Sequence, residues 1–76
     1  MSMLLQQRRR KLLLQILREA RLEAGMRQVD VAKVLNRPQS YVAKIESGER
    51  KIDFIEVLEF TKALGLDPVS LVKKLT

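Results

Sequence analysis

The sequence predicts an all-α fold of five helices, and three observations predict it. No alternating run of Val, Ile and Thr bounded by turn residues marks a strand. Apolar residues recur at helical spacing in successive segments. Each of the three glycines, Gly25, Gly48 and Gly65, follows a helix-like segment, where a left-handed C-cap belongs.

The first helix spans about Leu5 to Ala24 and turns Leu13, Leu17, Ala20 and Ala24 inward. The second, Gln28 to Leu35, buries Val31, Ala32 and Leu35. A break follows at Asn36-Arg37-Pro38, since Asn tolerates the left-handed conformation and Pro suits the first turn of a helix. The third helix, about Gln39 to Ser47, turns Val42 and Ile45 inward. The fourth opens with Asp53 as cap and Glu56 reaching back in a capping box, with Phe54, Val57, Leu58 and Leu64 as its apolar positions. The fifth opens with Asp67-Pro68, a cap followed by proline at the first helical position, and carries Leu71, Val72 and Leu75.

The 76 residues make one domain, 1–76. A chain this short buries only about 60% of the surface its unfolded form exposes, so it needs one tight core or a partner. It has no Cys and no His, which argues against disulfides, thiolate metal sites and the commonest general base and metal ligand. Neither a metal nor a cofactor is expected, and an enzyme is not the reading the composition favours. Apolar runs such as Leu12-Leu13-Leu14 are far too short to span a bilayer, and the N-terminus lacks a signal peptide's apolar core. The expectation is a cytoplasmic protein with an acidic partner. The charge is one-sided: Arg8 to Lys51 holds twelve basic and five acidic residues, +7, whereas Ile52 to Thr76 holds three and four, −1.

The chemistry lies in 28–47. Two short helices about three residues apart, with a basic flank, outline a helix-turn-helix. Ala32 is small where the helices cross, and Val42 and Ile45 fasten the second helix to the core. Gln39, Ser40, Ala43 and Lys44 remain on the opposite face to enter a DNA groove. Gln suits adenine edges, Lys guanine, Ser either, and an Ala methyl touches thymine. A plain helical hairpin is the bland alternative. Arg27, Arg37, Arg50 and Lys51, at helix ends and in flanking loops, are expected on phosphates, with Gln28 and the Tyr41 hydroxyl beside them. Partial core packing is the competing place for Tyr41.

From Leu17 to about Leu71 the sequence resembles the Cro/phage-repressor (XRE-type, lambda-repressor-like) helix-turn-helix family. The residues that carry the resemblance are Leu17, Arg18, Arg21, Gly25 and Gln28, then Val31-Ala32 and Leu35, then Val42, Ile45-Glu46 and Gly48, and finally Ala63-Leu64-Gly65-Leu66. The resemblance implies a five-helix domain that binds double-stranded DNA, usually as a homodimer on a two-fold operator. It implies base contacts for Gln39, Ser40 and Lys44 and a phosphate contact for Gln28. It also implies a structural ion pair between Arg21 and Glu46. The sequence departs from the family at Arg27, where a Ser or Thr cap is common and where Asp30 is expected to compensate through the helix dipole. It departs again at Asn36, where Gly is usual, at Ile52, often Pro, and in the basic N-terminal extension of the first helix, residues 1–11. The Arg8-Arg9-Arg10-Lys11 run reads either as the solvated start of that helix or as an arm on DNA phosphates.

Apolar groups left over from the predicted core, Ile55, Val69, Leu75, Leu12 and Leu14, suggest a self-association surface. It is expected on the fifth helix and its approach, Leu66, Val69 and Leu75 above all, with Leu5, Leu12 and Leu14 competing. Two rival functions stand beside DNA regulation. One is a membrane-surface helix at Gln6 to Leu17, which the encircling Arg8–Lys11 charges disfavour. The other is an antitoxin or interaction module that holds a partner protein.

Overall fold

A computed structural model describes residues 2–76, and Met1, the first residue of the 1–11 extension, lies outside them. Five helices follow in order: α1 (Ser2–Glu23), α2 (Gln28–Leu35), α3 (Gln39–Ser47), α4 (Phe54–Leu64) and α5 (Pro68–Leu75). No strand occurs among the described residues. α1 is 22 residues and therefore about 33 Å long at 1.5 Å per residue. It sets the 38 Å long axis of a molecule only 24 by 20 Å across.

Local chemistry ends the helices. Asn36 takes φ 56° after α2, the one non-glycine residue among those described with positive φ, and its N–H returns to the Ala32 and Lys33 carbonyls. Gly48 does the same for α3 at φ 81°. α4 opens on a complete capping box: the Asp53 carboxylate accepts from the Glu56 N–H at 2.8 Å, and the Glu56 carboxylate accepts from the Asp53 N–H at 3.1 Å. Asp67 caps α5 by accepting from the Val69 and Ser70 N–H groups, with Pro68 at the first helical position.

α3 packs on α2 and α1, α4 on α2 and α1, and α5 on α1. Ile16 and Leu17, Val31 and Ala32, Tyr41, Val42 and Ile45, Phe60 and Leu64, and Leu71 form the core. Ala32, 2% exposed, leaves room for α3 to cross close over α2.

Three expectations need correction. On α1, Ile16 is buried and Ala24 is exposed, because the helix ends at Glu23 before Ala24 can join the stripe. On α4, Phe54 is 65% and Leu58 37% exposed, while Phe60 and Thr61 are buried. The capping box holds Glu56 inward, so the buried row is Glu56, Phe60, Thr61 and Leu64 with Val57 half-buried beside it, and Phe54 and Leu58 fall to one side of it. On α5 and its approach, Leu66 and Leu75 are half-buried against the core, as is Leu14 on α1. They are therefore not leftover groups, whereas Ile55 and Val69 stay exposed.

Candidate nucleic-acid interface

α3 carries two faces. Tyr41, Val42 and Ile45 are buried, and Gln39, Ser40 and Lys44 are exposed on the other side with Ala43 half-buried beside them. The four groups assigned to base reading therefore share one accessible row. That row is presented on a helix whose position is fixed from behind.

The fixing group is Glu46. Arg21 donates to it through both Nε (2.6 Å) and Nη2 (3.1 Å), and Gln28 Nε2 donates to Oε1 at 3.0 Å. Arg21 Nη1 donates to the Met26 carbonyl at 2.9 Å, which ties the α1–α2 turn into the same network. The ion-pair side chains are only 10% and 7% exposed. The pair that the resemblance implies is thus present, and it joins α1, α2 and α3 at one carboxylate. Gln28, expected on a phosphate, spends its amide N–H on Glu46. Its role in the free protein is to brace α3.

A second carboxylate organises the loop that follows α3. Glu56 is buried and accepts from Arg50 Nη1 at 3.0 Å and Nη2 at 2.9 Å. The Arg50 N–H donates to the Lys44 carbonyl, folding the α3–α4 loop back on α3. The Arg50 guanidinium and the Asp53 N–H hold the Glu56 carboxyl well below the usual range, at about 2. Glu56 in turn raises the Arg50 pKa. Arg50 is thus a paired group, where the sequence reading had it free for a phosphate.

Tyr41 is corrected from the rim to the core. It is 8% exposed, and its ring lies 6.2 Å from that of Phe60. Burial, with the Glu56 carboxylate second, pushes its hydroxyl pKa up. The guanidinium carbons of Arg37 and Arg50 each stand 4.8 Å from its ring centroid. One aromatic ring therefore gathers a cation from the loop before α3 and a cation from the loop after it. Sequence reasoning missed this, although a lone aromatic between two Arg-bearing loops was the available signal.

Arg27 is exposed and lacks the side-chain cap common in the family. The Asp30 carboxylate substitutes from inside the helix, accepting from the Arg27 N–H at 2.8 Å and from its Nε and Nη2 at 3.1 and 3.0 Å. Those hydrogen bonds raise the Arg27 pKa and lower that of Asp30. Asp30 thus acts by direct hydrogen bonding, beyond the dipole effect expected of it. Lys51 is exposed in the same loop as Arg50. Among the described residues no cluster of acidic side chains could hold a metal, and no helix is long and apolar enough to cross a membrane.

Comparison with known proteins agrees with this geometry. A helix-turn-helix family model matches residues 17–71. An XRE-family like protein from Pseudomonas syringae pv. tomato str. DC3000 superposes with a TM-score of 0.94 at 42% identity, over 97% of this chain and 90% of that one. The wild-type restriction-modification controller protein C.Esp1396I superposes with a TM-score of 0.80 at 25% identity, over 88% of each chain. No curated protein sequence matches the chain. With a family model covering most of its length and a near-identical fold in an XRE-family like protein, the chain belongs to the XRE-type helix-turn-helix family of DNA-binding transcription regulators.

Proposed function

We propose that the chain is a sequence-specific regulator that reads double-stranded DNA with α3 in the major groove, as a homodimer on a palindromic operator. The observation that carries the reading is the exposed row Gln39, Ser40, Ala43 and Lys44 on a helix held from behind by the Glu46 network and by Arg50, which Glu56 anchors. A reader held rigidly loses little conformational entropy on binding. Arg27, Arg37 and Lys51 flank the row as phosphate contacts, which orient the protein without specifying bases, while Arg50 is committed to Glu56.

The support for a dimer is an apolar groove of about 290 Å³ between α4 and α5, lined by Phe54, Val57, Leu58, Val69, Leu71 and Val72. Phe54, Ile55, Val69 and Val72 on and beside it are 49–65% exposed. A two-fold pairing would place half-sites about 34 Å apart on the duplex. Val69 keeps the interface role assigned to it, and Phe54, Leu58 and Val72 replace Leu66 and Leu75. The same groove would serve the antitoxin reading, in which a partner protein occupies it.

Selection of bound duplexes from a random pool tests the proposal. The expected outcome is a two-fold symmetric site bound by two copies, with affinity that falls log-linearly with salt. An asymmetric site bound by a single copy would refute the dimer. Absence of any enriched sequence would refute sequence-specific reading.

A further inference from the structure

α1 starts about four turns before the family match does, and residues 3–12 of that overhang are all exposed. Arg8, Arg9, Arg10 and Lys11 are all exposed, and no carboxylate of the described residues lies within ion-pair distance of them. These charges are fixed on a helix and unneutralised.

The overhang is not equivalent on all sides. Gln7, Arg10, Lys11 and Leu14 share a hollow with Ser47 and Gly48. Lys11 also shares the adjoining hollow with Arg18, Glu46 and Ser47. The approach is close enough that a Cβ on Gly48 would touch Leu14 Cδ1 at 3.6 Å. Arg9 borders a different hollow, with Ile52, Leu75 and Thr76, and Arg10 borders both. Ser47 decides what the first side faces. It follows Ser40 and Lys44 at seven and three residues, so it is the C-terminal end of the exposed row of α3. Lys11 and Arg10 therefore flank the end of the reading row, on a rod that cannot fold away.

Resting on the assignment of that row to the major groove, we propose that Arg10 and Lys11 bind backbone phosphates of the same duplex beyond the C-terminal end of α3. They extend the phosphate track past the α3–α4 loop and add affinity without adding base preference.

Two charge-matched pairs test this on the full chain: R10Q/K11Q, on the Ser47 side, and R8Q/R9Q, which removes the same charge elsewhere on the overhang. Binding to the selected duplex is measured from 50 to 200 mM salt. Each lost phosphate contact lowers the slope of log affinity against log salt by about 0.9, so R10Q/K11Q is expected to lower it by about 1.8. Over that salt range the parent should lose about twelve-fold more affinity than the variant. R8Q/R9Q should change the slope by less than half as much, and both variants should select the parent's base sequence. Equal slope changes in the two pairs would overturn the proposal in favour of a diffuse field. An unchanged slope in R10Q/K11Q would overturn it too, as would loss of binding to anionic phospholipid vesicles with the DNA slope intact. The assignment of the reading row is judged separately, by whether the parent enriches a sequence and Lys44→Ala weakens it. Its failure is therefore distinguishable from failure of the overhang.

Discussion

Glu46 and Glu56 do the same job by different routes. Both are shielded carboxylates that take a bidentate arginine and one further N–H donor; Glu46 ties α3 to α1 and α2, and Glu56 holds the α3–α4 loop, whose Arg50 N–H meets the Lys44 carbonyl of α3. The partners of Glu46 are 25 and 18 residues away and lie on other helices. Those of Glu56 are six and three residues away and lie in the loop and cap just before it. A long-range hub reports whether three helices have docked. A local hub forms once one turn has formed. Glu46 should therefore govern global stability, and Glu56 the shape of the loop that carries Arg50 and Lys51.

The largest expected effect tests the first half of that contrast. Glu46→Ala strands the Arg21 guanidinium and should cost about 3–5 kcal/mol, a large share of what so small a domain possesses. Thermal or urea unfolding measures it. A loss below about 1 kcal/mol would mean that Arg21 finds water, and the contrast would collapse.

Acid titration separates the hubs next. The Glu56 carboxyl is held at about 2, against 4.5 for the free group. A depressed carboxylate contributes stability that is complete above about pH 4.5 and is lost as pH falls toward 2. At about 1.36 kcal/mol per unit, and discounted because Arg50 is 40% exposed, this amounts to about 2 kcal/mol. Glu56→Gln should remove that part of the acid limb between pH 5 and 2. A limb of unchanged steepness would place the acid sensitivity elsewhere.

Binding sharpens the contrast from the outside. Lys44→Ala and Gln39→Ala should each weaken the selected site by about 1–3 kcal/mol and relax preference at one base pair, without moving the melting temperature. Retained affinity in both would mean that α3 is turned differently on the DNA. The smallest effect on stability is expected from Val69→Glu at the α4–α5 groove. It should stay within about 0.5 kcal/mol of the parent in unfolding while abolishing cooperative binding of a second copy. Intact cooperativity would move the interface off the groove.

Much of this was legible before any coordinates, because capping and helix termination are settled within about five residues. Asp53 with Glu56, Asp67 with Pro68, Asn36, and glycines 48 and 65 each act on their own turn, and the structure places all of them as the local pattern predicts. The exposed row of α3 followed equally from spacing, because three- and four-residue periodicity defines a face without reference to a partner. The Arg21–Glu46 pair was reached only through the family resemblance, since nothing in a spacing of 25 residues makes two side chains meet.

The sequence by itself determined five helices, their caps, the helix-turn-helix and the basic front of the molecule. Only the tertiary structure decided which side of α4 is inward, that Tyr41 belongs to the core and gathers Arg37 and Arg50, and that Gln28 braces Glu46. It also decided that Leu66 and Leu75 support the core, leaving Phe54, Leu58, Val69 and Val72 to line the groove. The physical reason is the difference between propensity and docking. A cap or a period acts through bonds and neighbours already adjacent in the chain. The identity of a buried face depends on how helices cross, which is settled by packing of all the side chains at once.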